Sequence, residues 1–250
     1  MKLHFHEEGR GPAILLLHAF PLNSSMWKPQ IATLRNSFRC IAPDMRGFGT
    51  TPLAGPWSLE DAADDLAELL DTLSVERCVV AGLSMGGYIA LPFCARHGGR
   101  VHALVLANTR ARADTEIEKE ARTGIIAALE QSGSAILPER MLPRLLKPNP
   151  DSQVVKTVRD IMAATTATGA IFALKAMRDR PDRTSELGRI SCPVLVISGE
   201  HDAITRIEEC RAMADTIPNG TFKEIPNAGH LSNLENPAAF TSAMETWQND

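Results

Sequence analysis

The pentapeptide Gly82-Leu83-Ser84-Met85-Gly86 has the form Gly-x-Ser-x-Gly, and its neighbours give the pattern its meaning. The apolar run Cys78-Val79-Val80-Ala81 precedes it and predicts a buried strand, and Gly87-Tyr88-Ile89-Ala90-Leu91 follows it and predicts the start of a helix. A serine on a sharp turn between strand and helix holds its Oγ clear of the backbone, where a carbonyl group can reach it. Three such fixed residues recur by chance in about one chain in ten of this length. The pattern therefore carries weight only if the chain also supplies partners for Ser84.

Size and composition indicate one large domain, or one domain with an insertion. The chain has 250 residues, 44% of them hydrophobic and 22% charged, and a formal net charge of -4 without any block of like charges. This charge pattern offers no attraction for nucleic acid or an anionic membrane, and we expect neither as a partner. Residues 1–11 lack the apolar region of a signal peptide, and no apolar run approaches the length of a membrane span. We expect a cytoplasmic protein.

The cysteines and the paired histidines near the start of the chain do not predict a metal site. Five cysteines lie scattered along the chain, without the spacing of a zinc site, and we expect buried, reduced thiols: Cys40, Cys78, Cys94, Cys192 and Cys210. His4 and His6 alternate on a predicted edge strand and share a face, but two ligands without a third nearby make a poor metal site.

Strand-like and helix-like segments alternate along most of the chain. Short apolar runs predict buried strands at 13–18, 38–42, 78–81, 103–107, 193–198 and 221–225, with a further edge strand near residues 3–6. Helical spacing predicts helices between them, for example one that Ser58 caps and that continues through Leu73. Such alternation predicts an α/β fold, a mostly parallel sheet with helices on both faces.

Residues 110–185 interrupt this alternation with helix signals alone. They begin with a capping box at Thr115 and Glu118, and further helices are predicted to start near Pro138 and Asp151 and near residue 170. The sequence therefore predicts a core formed by residues 1–109 and 186–250, with an all-helical insertion at 110–185 between two strands of the sheet.

A serine nucleophile needs a base within hydrogen-bonding reach, and histidine is the usual one. Of the seven histidines, His230 follows the last predicted strand, as Ser84 follows an earlier one. Loops at the carboxyl ends of parallel strands meet at one edge of the sheet, so these two side chains should lie close together. We expect His18 to be structural and His97 and His102 to lie at a helix end.

The acid that orients His230 should come from another strand end. Asp202, in Gly199-Glu200-His201-Asp202, is the leading candidate, and Glu200 is the alternative. Asn108 also follows a strand but is not anionic, and Asp44 is expected to pair with its own loop.

An oxyanion that forms on the substrate needs two N–H donors aimed at it. One is the backbone N–H of Met85, directly after Ser84. The other should lie after the first buried strand, in His18-Ala19-Phe20-Pro21, where the Phe20 backbone N–H is the natural donor because Pro21 has none.

Together these motifs resemble the α/β-hydrolase superfamily, in its serine esterase and lactonase branch. The resemblance rests on His18-Ala19-Phe20-Pro21, Asp44-Met45-Arg46-Gly47-Phe48-Gly49, Gly82 to Gly87, Gly199 to Asp202 and Gly229-His230, in the chain order Ser, Asp, His that this fold uses. Ala19 and Thr50 stand where glycine and serine are commoner. The resemblance implies that the helical insertion is a lid over the active site.

The resemblance also implies hydrolysis through an acyl-enzyme, without a metal or organic cofactor. Ser84 attacks the carbonyl carbon, His230 relays the proton, and Asp202 holds the imidazole. The nearest members in pattern are enzymes like 3-oxoadipate enol-lactonase and small carboxylesterases. Dehalogenation of haloalkanes is disfavoured, because that chemistry needs a carboxylate where Ser84 stands.

The substrate is harder to predict. We expect a carboxylesterase of small esters, with a lactonase as the alternative and a non-catalytic ligand-binding receptor of the same fold as a third possibility. Most arginines of the insertion are expected to be solvated: Arg110, Arg112, Arg122, Arg140, Arg144, Arg159, Arg178, Arg180 and Arg183. Its apolar residues fit pocket lining and internal packing equally well: Ile125, Leu129, Met141, Leu142, Leu145, Met162, Phe172 and Met177.

Overall fold

A computed structural model describes residues 1–247 of the chain. The described residues form one seven-stranded sheet. Its strands are β1 (Phe5–Glu8), β2 (Ala13–Leu17), β3 (Arg39–Pro43), β4 (Cys78–Leu83), β5 (Val101–Ala107), β6 (Val194–Gly199) and β7 (Gly220–Ile225). The predicted strands correspond to these, with ends that agree or differ by at most two residues.

Helices cover both faces of the sheet, as the alternation predicts. They are α1 (Lys28–Leu34), α2 (Leu59–Thr72), α3 (Met85–His97), α4 (Glu116–Ser132), α5 (Leu137–Leu145), α6 (Ser152–Ala163), α7 (Ala167–Arg178), α8 (Ile207–Thr216), α9 (Ser232–Glu235) and α10 (Pro237–Trp247). Short 3-10 turns lie at Ser24–Trp27, Gly98–Arg100, Ser134–Ile136 and Thr184–Arg189. Helix α9 has no counterpart among the predicted helices, because a single turn is too short to show helical periodicity.

The sheet order is β1-β3-β2-β4-β5-β6-β7, and only β1 runs antiparallel to its neighbour. Strand β4 lies between β2 and β5 and is buried along its whole length. Parallel neighbours place their carboxyl ends on one edge, so the segments that follow β4, β6 and β7 approach each other there. The α/β fold and its mostly parallel sheet are confirmed.

Four helices, α4 to α7, lie between β5 and β6 and form the predicted helical insertion. Its predicted caps are present: Thr115 and Glu118 form a capping box at α4, and the Asp151 side chain accepts from the Gln153 N–H at α6. Pro138 lies in the first turn of α5, where its missing N–H costs no hydrogen bond. Local capping chemistry therefore sets these helix ends as the sequence indicates.

Candidate active site

Ser84, His230 and Asp202 lie in hydrogen-bonding contact at the carboxyl edge of the sheet. His230 Nε2 is 2.8 Å from Ser84 Oγ, and His230 Nδ1 is 2.8 Å from Asp202 Oδ2. The three side chains are buried, with His230 only 1% exposed. The structure therefore brings together the three residues that the sequence analysis selected, in the geometry of a nucleophile, its base and an orienting acid.

The backbone holds Ser84 in a conformation that few non-glycine residues adopt. Its φ is 56°, in the left-handed region, at the junction of β4 and α3. The turn is tight enough that a Cβ on Gly82 would lie 2.3 Å from the Gly86 carbonyl oxygen, and one on Gly86 would lie 2.2 Å from the Leu17 carbonyl oxygen. Glycine is therefore required at both positions, which explains the Gly-x-Ser-x-Gly pattern as packing around the serine.

Asp202 is held by its own loop as well as by His230. Its Oδ1 accepts from the backbone N–H groups of Ile204 (2.8 Å) and Thr205 (3.0 Å), and its Oδ2 accepts from the Thr205 hydroxyl. Burial alone would raise the pKa of Asp202, but the charge of His230 and the hydrogen bonds from His230, Thr205 and Asn108 outweigh burial and hold that pKa below its usual range. Asp202 is thus ionised and fixed opposite the imidazole.

Two further buried side chains complete this network, and the sequence analysis missed their role. The Asn108 amide donates to Asp202 Oδ2 at 2.9 Å, and the Ser232 hydroxyl donates to Asn108 Oδ1 at 2.5 Å. Asn108 follows β5 in the left-handed region, with φ 46°. The sequence held one signal for this role, the position of Asn108 at the end of a strand. A neutral donor there can donate a hydrogen bond to a carboxylate that follows the neighbouring strand.

The predicted oxyanion donors are the backbone N–H groups of Met85 and Phe20. Met85 is the first residue of α3, and Phe20 lines the same cavity as Ser84 and His230. Among residues 1–247, neither N–H has a hydrogen-bond partner within the protein. Both donors are therefore available to a ligand, and the start of α3 adds the favourable end of a helix dipole.

The acidic alternatives from the sequence analysis lie outside this arrangement. Glu200 is exposed and accepts from the Asn227 N–H at 2.7 Å, and its ion pair is with His201 and not with His230. Asp44 accepts from the Ser24 N–H (2.8 Å) and from the N–H of Thr50 in its own loop (3.3 Å). Asp202 is therefore the acid that reaches the imidazole.

The other histidines have structural or surface positions as expected, although His102 lies in β5 and not at the helix end predicted for it. His18 is buried and accepts from the Met45 N–H at 3.0 Å, and burial lowers its pKa. His97 ends α3 and pairs with Asp64 at 2.8 Å, and His102 is exposed. Within residues 1–247, no cluster of His, Cys, Asp and Glu has the geometry to hold a metal ion.

A cavity of about 110 Å³ opens onto Ser84 and His230. Four of the eight apolar residues considered from the insertion line it, namely Ile125, Met141, Leu145 and Met177, together with Leu174. Leu129, Leu142, Met162 and Phe172 do not line it. Some apolar residues of the insertion therefore form a wall of the cavity, and the others pack within the insertion.

The expectation that most arginines of the insertion are solvated is wrong. Only Arg140, Arg144 and Arg159 are exposed, whereas Arg110 and Arg180 are buried. The reason is a set of acidic partners that the linear sequence does not show. Asp114 pairs with Arg180 (2.7 Å) and with Arg122, and Glu118 pairs with Arg110 and Arg112 (2.6 Å each). Of these paired side chains, four also line the cavity: Arg110, Asp114, Glu118 and Arg122.

Comparison with known proteins agrees with this geometry. A model of the alpha/beta hydrolase fold family matches residues 12–237. The 3-oxoadipate enol-lactonase 1 of Acinetobacter baylyi is 31% identical over 233 residues, which are 92% of this chain and 85% of that protein. Among residues 1–247 no helix has both the length and the apolar character needed to cross a membrane.

Two solved structures superpose closely. A thermophilic esterase from Thermogutta terrifontis, solved with malate bound, has a TM-score of 0.95 at 39% identity and covers 99% of this chain and 93% of its own. The enol-lactonase from Burkholderia xenovorans has a TM-score of 0.92 at 30% identity and covers 99% of this chain and 96% of its own.

Proposed function

The chain belongs to the alpha/beta hydrolase fold family, and from this premise we propose that it is a serine hydrolase that cleaves carboxylic esters of small substrates. The observation that carries the proposal is the continuous set of contacts from Ser84 Oγ to His230 Nε2 (2.8 Å) and from His230 Nδ1 to Asp202 (2.8 Å). A serine hydroxyl becomes a competent nucleophile when a base accepts its proton, and this arrangement supplies one.

The proposed reaction has two halves. Ser84 Oγ attacks the ester carbonyl carbon while His230 takes its proton, and the Phe20 and Met85 N–H groups stabilise the oxyanion. His230 then protonates the departing alcohol, which leaves an acyl group on Ser84. Water attacks this acyl-enzyme with His230 again as base, and the carboxylic acid leaves with Ser84 restored.

The cavity argues for a small acyl group. Its volume of about 110 Å³ lies below the roughly 300–1,000 Å³ of sites for drug-sized ligands. Ile125, Met141 and Leu174 give it apolar walls from the helical insertion, which we propose acts as the lid over Ser84. Short acyl chains should therefore be hydrolysed faster than long ones.

The test is a pre-steady-state reaction with p-nitrophenyl acetate. We expect a burst of p-nitrophenol equal to the enzyme concentration if deacylation is the slower step, and labelling of Ser84 by a fluorophosphonate. Ser84→Ala should abolish the labelling and lower kcat by about 10⁴-fold or more. His230→Ala should suppress both the labelling and the hydrolysis. Wild-type protein that neither hydrolyses esters nor takes the label would overturn the proposal and favour a non-catalytic receptor.

A lactonase is the second candidate, and the charge of the cavity favours it. Three arginines line the cavity against two carboxylates: Arg110, Arg122 and Arg144 against Asp114 and Glu118. Arg110 and Arg122 pair with those acids, whereas Arg144 has no carboxylate partner among residues 1–247. A free guanidinium suits a substrate that bears a carboxylate, such as the lactones named for the enol-lactonase relatives.

A matched pair of variants on α5 tests whether Arg144 binds a substrate carboxylate, the feature that favours the lactonase. Arg144→Gln should raise KM for esters and lactones that carry a carboxylate by roughly tenfold to a hundredfold, because hydrogen bonds to charged groups contribute about 1.5–3 kcal/mol. Arg140→Gln is the control, since Arg140 is exposed on the same helix and does not line the cavity. Equal kcat/KM for neutral and anionic substrates in the wild-type protein would reject the lactonase candidate.

A further inference from the structure

Two half-buried cysteines share a cavity that is separate from the Ser84 site. Cys94 lies on α3, and Cys192 lies two residues before β6. Both line a cavity of about 700 Å³. Val101, the first residue of β5, lines it as well, so the cavity lies at the amino ends of the parallel strands, opposite the edge that carries His230. For these two cysteines the expectation of buried thiols is wrong.

The two thiols interact and differ in acidity. Hydrogen bonding from Cys94 lowers the pKa of Cys192 against the opposing effect of burial, and the Cys192 backbone and the charge of Arg77 act in the same direction. The same hydrogen bond, together with burial, raises the pKa of Cys94. Cys192 is therefore the thiol that ionises first, and Cys94 is the neighbour that keeps its proton.

The remaining cysteines provide an internal contrast. Cys40, Cys78 and Cys210 are almost fully buried, at 0%, 2% and 0% exposure. Burial raises their pKa values to about 11, 12 and 11, so they carry little thiolate at neutral pH. Reactivity toward an oxidant should thus be confined to the pair that lines the cavity.

We propose that Cys94 and Cys192 form a dithiol that hydroperoxides oxidise to a disulfide, a modification site distinct from the Ser84 site. The Cys192 thiolate attacks one oxygen of hydrogen peroxide and breaks the O–O bond, which gives a sulfenic acid and, after protonation, water. The Cys94 sulfur then attacks the Cys192 sulfur, the S–O bond breaks, and hydroxide leaves with the Cys94 proton as a second water. Two thiols are oxidised and one peroxide is reduced to two waters.

The product joins two parts of the chain that are far apart in sequence. The cross-link would tie α3, which begins directly after Ser84, to the segment that enters β6. The closed loop, residues 94–192, contains all of α4 to α7. The disulfide would therefore bind both ends of the helical insertion into one covalent ring, with a cavity through which peroxide and reducing thiols can reach it.

The experiment treats the 250-residue chain with a small excess of hydrogen peroxide and measures its intact mass. We expect a loss of about 2 Da that dithiothreitol reverses, the mass change of one disulfide. Trypsin should then release residues 78–96 linked to residues 190–206. The first peptide also contains Cys78, so the variants Cys78→Ala, expected to keep the link, and Cys94→Ser, expected to lose it, identify the partner.

The sulfenic acid supplies an independent readout. Dimedone should label Cys192 in Cys94→Ser and much less in the wild-type protein, because Cys94 resolves the intermediate there. Three results overturn the proposal: no loss of mass at peroxide doses that oxidise free glutathione, a link that involves another cysteine, or equal dimedone labelling with and without Cys94. The first is measured on wild-type protein, so a poorly folded variant cannot obscure it. None of these measurements depends on ester hydrolysis.

Discussion

Asn108 supports the Asp202 carboxylate without carrying charge itself. Its amide donates to Asp202 Oδ2 at 2.9 Å, and the Ser232 hydroxyl fixes the orientation of that amide through Asn108 Oδ1. With φ 46°, the position tolerates asparagine and aspartate better than most residues. The site thus uses the left-handed turn after β5 to aim a neutral donor at the acid from the next strand.

Replacing this donor by an acceptor should impair the proposed hydrolysis. Asn108→Asp removes the hydrogen bond and places a second carboxylate beside Asp202, which should raise the pKa of Asp202. We expect kcat/KM for p-nitrophenyl acetate to fall roughly tenfold to a hundredfold at neutral pH, because a hydrogen bond to a charged group contributes about 1.5–3 kcal/mol. A profile of kcat/KM against pH measures the change.

Ser232→Ala is the matched variant, since it leaves the Asn108 amide in place and removes only the bond that orients it. Its cost should be smaller, about 1 kcal/mol or roughly fivefold in kcat/KM. An unchanged pH profile in Asn108→Asp would show that Asp202 does not depend on this donor.

Helix α3 approaches strand β2 closely because of one glycine. A Cβ on Gly86 would lie 2.2 Å from the Leu17 carbonyl oxygen, which is a backbone atom and cannot rotate away. In contrast, Gly124 lies in the interior of α4 and is exposed, and a Cβ added there would meet open space. Replacing glycine by alanine should therefore change the stability in opposite directions at these two positions.

Gly86→Ala should lower the free energy of unfolding by about 3 kcal/mol or more, because it forces the helix away from the sheet. Gly124→Ala should raise it by about 0.8–1 kcal/mol, since alanine loses less backbone entropy in a helix. Urea unfolding followed by circular dichroism measures both. A Gly86→Ala protein as stable as the wild type would contradict the close approach of α3 to β2.

Glu235, in α9, joins the helical insertion to the loop that carries His230. Its carboxylate accepts from the backbone N–H groups of Lys147 (2.9 Å), just after α5, and Gly229 (2.7 Å), just before His230. Burial raises the pKa of Glu235, and the two backbone donors oppose that rise. The Leu231 N–H adds a direct bond of 3.0 Å to the Leu145 carbonyl oxygen.

Loss of this carboxylate should loosen both the proposed base and a cavity wall. We expect Glu235→Ala to lower kcat and raise KM for small esters, with a combined loss in kcat/KM of roughly tenfold, since it leaves two partly buried N–H groups unpaired. Glu235→Gln, which keeps one acceptor oxygen, should lose less. Glu130→Ala on the exposed side of α4 is the control and should leave both constants unchanged. An effect on stability alone would assign Glu235 a purely structural part.

The sequence predicted the sheet, the insertion and the three contacting side chains well, because local signals control them. Buried strands appear as apolar runs, and helix ends appear as capping residues such as Thr115 and Asp151. Contacts between segments that are distant in the sequence were harder to predict. The burial of Arg180 depends on Asp114 at a distance in sequence, and the role of Asn108 depends on the register between β5 and β6. No pattern within one segment encodes either pairing.

The stability of the whole molecule toward acid should depend on Asp202. Its pKa is held below its usual range in the folded protein, by His230 and by hydrogen bonds, against the effect of burial. The unfolded chain therefore binds the proton more readily, so the group stabilises the fold above the ordinary pKa near 3.8. This contribution should disappear as pH falls from about 4 through the lower pKa of the folded state.

Asp202→Asn has no titrating group at this position, so its free energy of unfolding should vary less with pH between about 4 and 2 than that of the wild type. The difference in slope should approach about 1.4 kcal/mol per pH unit, which corresponds to one proton. Urea titrations at several pH values measure both curves, and Asp215→Asn is the control, since Asp215 is exposed and has no ion pair among residues 1–247. Parallel curves for Asp202→Asn and wild type would mean that burial cancels the stabilising contacts of the carboxylate. Asp202 would then bind its proton equally well in the folded and the unfolded chain.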